Sequence, residues 1–158
     1  MAAETRSARS KFGELLLIFV IVLAAALLMA REAVKQADTR PRKITIERML
    51  IIEEALARYM IDTGGVLPTT EQGLQALIAK PTLPPPPRIW DGPYIEDEQI
   101  LRDGWGREFL YYAPGKALKG YEDFRHPYSL LSYGSDGAER GDHMAADILS
   151  WDRTTMIP

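Results

Sequence analysis

The chain opens on polar residues and then runs LLLIFVIVLAAALLMA from Leu15 to Ala30, without a polar or charged side chain. As a helix rising 1.5 Å per residue, such a run covers roughly 24 Å, somewhat short of the ~30 Å hydrocarbon core of a bilayer. Phe12 and Gly13 lengthen it toward a span. Three fates suit it: a membrane anchor, a cleavable signal peptide or a buried core helix. Arg6, Arg9 and Lys11 fit the basic start of a signal peptide, but Leu28-Met29-Ala30-Arg31 lacks a clean small-x-small cleavage site. The anchor is therefore the leading expectation. Arg31, Lys35, Arg40, Arg42 and Lys43 follow the run, so counting positive charges does not orient it.

A different period begins after Pro41, a residue expected to mark a kink or a first helical turn. Met49, Ile52, Leu56, Tyr59 and Met60 recur at spacings of three and four, while Glu47, Glu53, Glu54 and Arg58 take the other side. Glu54 and Arg58 are spaced to pair along this helix, and Gly64-Gly65 supplies its stop. Thr69 and Gln72 then match a capping box, followed by the stripe Leu74, Leu77 and Ile78 up to Pro81. That pattern predicts a second helix of about ten residues. Prolines crowd the stretch from Pro81 to Pro87, which reads as a stiff extended surface loop.

Beyond it the period shortens. Arg107–Tyr112 and Tyr128–Tyr133 read as strands set between glycine- and proline-rich turns. The fold class is thus α+β: a long N-terminal membrane-anchoring helix, a short second helix and a small antiparallel sheet. The expected segments are a leader-like 1–14, a transmembrane 15–30, a polar continuation of the helix at 31–62 and a globular head at 63–158.

Composition narrows the function by exclusion. A net charge of −3 gives no global attraction to nucleic acid, and the absence of cysteine removes disulfides, thiolate metal sites and cysteine nucleophiles. His126 and His143 stand far apart in no zinc or triad spacing, and no phosphate loop or nucleophile elbow occurs. Glu96-Asp97-Glu98 reads as a solvated acidic loop. No enzymatic reading gains support. One oxygen-rich loop remains, SYGSDGAERGD from Ser132 to Asp142. Calcium takes six to eight oxygens from such loops, but this one lacks EF-hand spacing, and on residues alone an Asx-turn hairpin is the stronger reading.

Taken in order, ALARYMIDTGGVLPTTEQGLQALI, Trp90-Asp-Gly-Pro-Tyr-Ile95, Asp103-Gly-Trp-Gly106, Tyr111-Tyr-Ala-Pro-Gly115, SYGSDG and Ala146-Asp-Ile resemble the major pseudopilin, protein G, family of type II secretion systems. The resemblance covers roughly residues 44–151. It implies a non-enzymatic subunit, anchored in the bacterial inner membrane as a single-pass protein with its head in the periplasm. Such subunits assemble with copies of themselves and with other pseudopilins and inner-membrane secretion components into a short filament that helps move folded proteins across the outer membrane. The alternative keeps the head as a membrane-tethered periplasmic binding or accessory domain that does not polymerise.

The resemblance also implies site residues. Glu14 stands where the family's glutamate compensates a neighbouring subunit's terminal amine, although an interfacial Glu beside Lys11 is an equal reading. The family's leader ends in Gly before Phe, whereas here Arg9-Ser10 and Gly13-Glu14 occupy the two possible frames, so peptidase processing is not expected. Calcium, in the family, braces the C-terminal loop. By resemblance its ligands here are the Asp136 carboxylate, Ser129 where the family has a second aspartate, and the carbonyls of Ala138 and Arg140. That set is a weakened site, with Asp142 as a compensating carboxylate. Asp103-Gly104-Trp105 replaces the family's Asp-Pro-Trp, a change expected only to loosen a turn.

Overall fold

The structure is a computed structural model that describes residues 2–116, 125–141 and 145–156, with side chains from Glu14 to Glu32 and from Thr39 onward. Asp142, His143 and the side chains of Arg9, Ser10 and Lys11 lie outside the described residues. The chain divides into two compact units, Met1–Asp38 and Thr39–Pro158. One helix, α1, runs from Ala2 to Asp62 and contributes to both.

In the first unit, the side chains from Leu15 to Met29 are exposed. In the second unit the character of α1 changes. Thr45, Ile46, Met49, Ile52, Ala55, Leu56 and Tyr59 are buried, and Met49, Ile52, Ala55 and Leu56 are completely so. Steps of three and four residues place these side chains on one face, which is why this stretch serves as the wall of a core. Met60, expected on that face, is more than a third exposed because the buried stripe ends one residue earlier at Tyr59. Pro41 interrupts nothing: α1 passes through it, and the Thr45 hydroxyl donates to the Pro41 carbonyl at 2.9 Å.

The end of α1 follows the sequence closely. Gly64 and Gly65 both have positive φ, at 76° and 94°. The Gly65 N–H donates to Met60 O at 2.7 Å and Gly64 N–H to Ile61 O at 3.3 Å, the paired bonds of a Schellman stop. The second helix is shorter and tighter than the pattern implied. Thr69 Oγ1 accepts from Gln72 N while Gln72 Oε1 accepts from Thr69 N, so the capping box forms as a reciprocal pair. Gly73, at φ 62°, then breaks the α path, and only a 3-10 helix at Leu74–Leu77 follows. Its Leu74, Ala76 and Leu77 enter the same core as the helix wall. Gln72 also donates through Nε2 to Leu83 O and Pro85 O, fastening the proline-rich stretch to this turn. The acidic run is structured too: Asp97 caps a 3-10 helix at Glu98–Leu101 by accepting from Gln99 N.

Strands β1 (Leu110–Tyr112), β2 (Ser129–Ser132) and β3 (Ile148–Leu149) form an antiparallel sheet in the order β1-β2-β3. Tyr111 faces Leu130, and Leu131 faces both Leu110 and Leu149. Every residue of β2 is buried, as suits a central strand. Phe109, Tyr111, Leu130 and Ile148 join Met49, Ile52, Leu56 and Tyr59 in one apolar cluster. Tyr59 and Tyr94 meet edge to face at 5.5 Å, and Trp90 meets Tyr94 likewise at 5.7 Å.

A core wall made by one helix face has a direct test. Leu56→Ala is expected to cost about 2–5 kcal/mol through lost burial and the cavity left behind. Leu50→Ala, on the exposed face, is expected to stay within about 0.5 kcal/mol. Urea unfolding of the detergent-solubilised chain, followed by tryptophan fluorescence, separates the two, because Trp90, Trp105 and Trp151 all lie in the second unit.

Candidate functional site

The membrane-facing feature is bounded by charge. From Glu14 to Glu32, 19 residues reach a mean hydropathy of 2.5 with none of the span buried. At 1.5 Å per residue that is about 28 Å of helix, close to a bilayer's apolar thickness. A core helix would be covered by protein, so the buried-core reading falls. Glu14 opens the span and is exposed. Of the cations that follow the span, Arg42 belongs to the second unit, where it donates to Ala146 O at 3.1 Å and Thr155 O at 2.6 Å.

Arg42 is the first of three such contacts along α1. Arg48 donates to the carbonyls of Arg102 and Asp103, and Arg58 to that of Tyr94 at 2.8 Å. Arg58 thus serves a loop carbonyl rather than the expected pairing with Glu54. Guanidinium groups suit this work, since several N–H donors in a fixed plane satisfy carbonyls that irregular backbone leaves unpaired. Between Arg42 and Arg48, Gly104 comes so close to α1 that a Cβ there would stand 1.9 Å from Pro41 O. Its N–H donates to Thr45 Oγ1 at 2.8 Å. A proline at this position would have neither the N–H that Thr45 accepts nor the small profile that lets Pro41 O approach.

Asp103, beside it, is almost completely buried and fully engaged. Its Oδ1 accepts from Trp105 N and Arg107 N, each at 2.9 Å, and its Oδ2 accepts from Ser132 Oγ at 2.8 Å. Arg107 Nε lies 3.7 Å from the same Oδ2. The far end of Arg107 reaches the C-terminal loop, donating to Gly134 O and Ser135 O. The guanidinium lies 5.9 Å from the Trp105 ring and against Gly137, where a Cβ would stand 3.1 Å from Nη1.

The four residues assigned to calcium by resemblance are differently engaged. Ser129 is fully buried in β2, and its hydroxyl accepts from Lys116 N at 2.7 Å and donates to Lys116 O at 2.8 Å. Asp136 is exposed, with Oδ1 accepting from Ala138 N at 3.1 Å, the Asx turn that the residues alone suggest. Ala138 and Arg140 are exposed on the same loop, and Arg140 adopts φ 71°. Arg140 N donates to Asp147 Oδ2 at 3.2 Å, whereas Asp147 Oδ1 is buried with no hydrogen-bond partner among the described residues. Burial raises the Asp147 carboxyl above its ordinary range; the Arg140 N–H opposes this, and the charges of Glu139 and Asp136 add to it. Among the described residues, no group of three Asp, Glu, His or Cys side chains is arranged to hold a metal ion. Ser129, committed to Lys116, does not fit the place it holds in the expected calcium set.

A second polar cluster joins α1 to the chain's end. Glu53, His126, Tyr128, Ser150, Trp151 and Arg153 line a cavity of about 350 Å³, and His126 is exposed. Arg153 Nη1 lies 3.5 Å from Glu53 Oε2. Burial raises the Glu53 carboxyl despite the charge of Arg153 and the hydrogen bonds from Arg153 and Tyr128. Burial, with the charge of Glu53, pushes the Tyr128 phenol up to about 12.

An uncovered apolar helix of membrane length and a small α+β head are the features of a pilin-like subunit. Residues 32–151 match the family model for "Type II secretion system (T2SS), protein G". Similarity extends over nearly the whole chain to "Type II secretion system core protein G" of Pseudomonas aeruginosa, at 36% identity over 150 residues, covering 91% of this chain and 97% of that one. The Vibrio cholerae protein of the same name is 32% identical over 138 residues, covering 87% of each. The crystal structure of the major pseudopilin from the type 2 secretion system of enterohaemorrhagic Escherichia coli superposes with a TM-score of 0.57 at 31% identity, covering 75% of this chain and 92% of that one. The chain belongs to the type II secretion system protein G family.

Two measurements follow from the head's polar groups. Asp103→Ala leaves Ser132 Oγ and the N–H groups of Trp105 and Arg107 without their acceptor, and is expected to cost about 3–5 kcal/mol in urea unfolding. Asp103→Asn, which keeps an oxygen, is expected to cost less. Glu53 sets a pH slope. Its folded pKa is raised, so the folded state holds the proton more tightly than the unfolded chain. The stability this group contributes is present at acid pH and is lost as pH rises through the folded value. Glu53→Gln is expected to flatten that part of the profile, measured as the urea midpoint against pH.

Proposed function

We propose that the chain is a structural subunit of the type II secretion pseudopilus, anchored in the inner membrane by Glu14–Glu32 with its 39–158 unit in the periplasm. The observation that carries this reading is an uncovered apolar span of membrane length leading into a head of the protein G family. Copies assemble through their apolar helices, where close van der Waals packing drives association within lipid. Other pseudopilins and inner-membrane secretion components are the further partners, and the assembled filament helps move folded proteins across the outer membrane. The work is mechanical and structural rather than catalytic.

Glu14 enters this reading at the edge of the span, as the carboxylate that would meet a neighbouring copy's terminal amine were the leader cut, and that otherwise stands at the interface. An ionisable group at that depth is a functional candidate by default. Processing by a prepilin peptidase is not expected, because Arg9-Ser10 and Gly13-Glu14 both lack the Gly-Phe junction. That same feature favours the second reading, a tethered accessory domain that stays monomeric.

Single cysteines placed along the cysteine-free span decide between them. In membranes of a host carrying the secretion system, Leu16→Cys and Leu27→Cys are expected to give cross-linked ladders of copies, and Glu14→Gln to reduce them. Monomers alone would establish the tethered reading. A C-terminal alkaline phosphatase fusion is expected to be active and the protein to resist carbonate extraction; an inactive fusion would reverse the topology.

A further inference from the structure

We infer that this head braces its C-terminal loop with the Arg107 guanidinium, held by buried Asp103, and folds without calcium. The inference rests on the family reading only for the expectation it departs from; the brace itself stands on geometry. The backbone carbonyls of an irregular loop such as Gly134 to Gly141 take a cation or N–H donors as partners. Here Arg107 supplies both, donating to Gly134 O and Ser135 O. A guanidinium remains charged at every physiological pH and presents its donors in a rigid plane, so one group bridges neighbouring carbonyls.

The group is held by several neighbours although two-fifths of its side chain stays exposed. Asp103 Oδ2 lies 3.7 Å from Arg107 Nε and balances the charge. Trp105 presents its ring on one side at 5.9 Å. Gly137 leaves the other side open: an added Cβ would lie 3.1 Å from Nη1 and 3.2 Å from Cζ, and its φ of 69° disfavours any side chain. A divalent ion brought to the Gly134 and Ser135 carbonyls would stand against a fixed positive charge.

The carboxylate that the family would supply to such an ion is missing for a compensated reason. Ser129 is neutral, and its buried hydroxyl closes a two-way hydrogen bond with the backbone of Lys116. An aspartate there has no proton to donate to Lys116 O, and its charge in that buried position would call for a cation. Ser129 and Arg107 thus describe one consistent arrangement, with the negative charge removed at one point and a tethered positive charge supplied at another.

The test uses the full-length chain in detergent micelles, stripped with EGTA. Calorimetric titration with calcium is expected to give no saturable heat up to millimolar concentration. The thermal midpoint, read by tryptophan fluorescence, is expected to be equal in millimolar calcium and in EGTA, since a ligand that bound the native state would raise it. Trypsin reports the loop directly, because Arg140 lies within it. Arg107→Met is expected to speed cleavage after Arg140 by at least about tenfold, as the open loop becomes more populated. Arg107→Lys is expected to fall between the two, because an ammonium lacks the planar fork that meets both carbonyls. A calcium-dependent rise of several degrees that is lost in Asp136→Asn or Asp147→Asn would overturn the inference. So would unchanged cleavage in a folded Arg107→Met. If Arg107→Met does not fold, the calcium titration of the unaltered chain still decides. None of these readouts depends on whether copies polymerise.

Discussion

The head is organised around one buried carboxylate. Taking Asp103 out of water carries a penalty that only a full set of partners offsets. It has them: two backbone N–H groups from its own turn, the Ser132 hydroxyl from the end of β2, and the Arg107 guanidinium. Its backbone is engaged as well, with Asp103 N donating to Arg107 O and Asp103 O accepting from Gly106 N and from Arg48. Helix, sheet and C-terminal loop therefore meet at one residue. Loss of the carboxylate removes the acceptor shared by its own turn, the Ser132 hydroxyl and the Arg107 guanidinium, which is a larger disturbance than the loss of any one apolar contact at the periphery.

What makes this arrangement possible is the double use of α1 within the second unit. Its apolar stripe from Ile46 to Tyr59 forms one wall of the core. Beside that stripe Arg42, Arg48 and Arg58 donate to carbonyls of segments distant in sequence. A head with strands of two to four residues has few ladder hydrogen bonds of its own. Much of its backbone lies in loops whose polar groups need partners from elsewhere. The arginines supply some of them from a rigid support. Leu50, Ile51 and Ile61, by contrast, remain exposed on the same helix. Apolar surface that the fold does not bury is available to a neighbouring copy, consistent with a subunit that works in an assembly.

Strongly periodic features were the ones legible in the sequence. The apolar run, the stripe on α1, its Gly64-Gly65 stop and the two longer strands follow from hydrophobic spacing and local backbone preference, and all are present. The second helix was legible only in part. Thr69 and Gln72 form their capping box, but Gly73 adopts a positive φ and turns a would-be α-helix into four residues of 3-10. Local propensity identified the start and could not weigh the break. Strand β3, two residues long, carries no period at all and exists because Leu131 and Ser132 pair with it. The importance of Asp103 was equally hidden, since its partners at Arg48 and Ser132 are far away in sequence. The calcium set was a carry-over by position. Position does not reveal that Ser129 turns to Lys116 and Arg107 to the loop.

Those departures from the family pattern form compensated sets rather than scattered losses. Where the family has proline, Gly104 brings an N–H that Thr45 accepts and a profile small enough for Pro41 O to approach. At the position of a family aspartate, Ser129 satisfies both backbone groups of Lys116 without adding charge. In the C-terminal loop, Arg107 reaches the carbonyls of Gly134 and Ser135 across a glycine whose missing side chain makes the room. Each replacement exchanges a longer-range or externally supplied constraint for a hydrogen bond made by the chain itself. A metal brace ties folding to the ion's concentration, because binding free energy then becomes folding free energy. A guanidinium brace carries its cation covalently, so the loop is held as soon as Asp103 is buried and Arg107 is aligned.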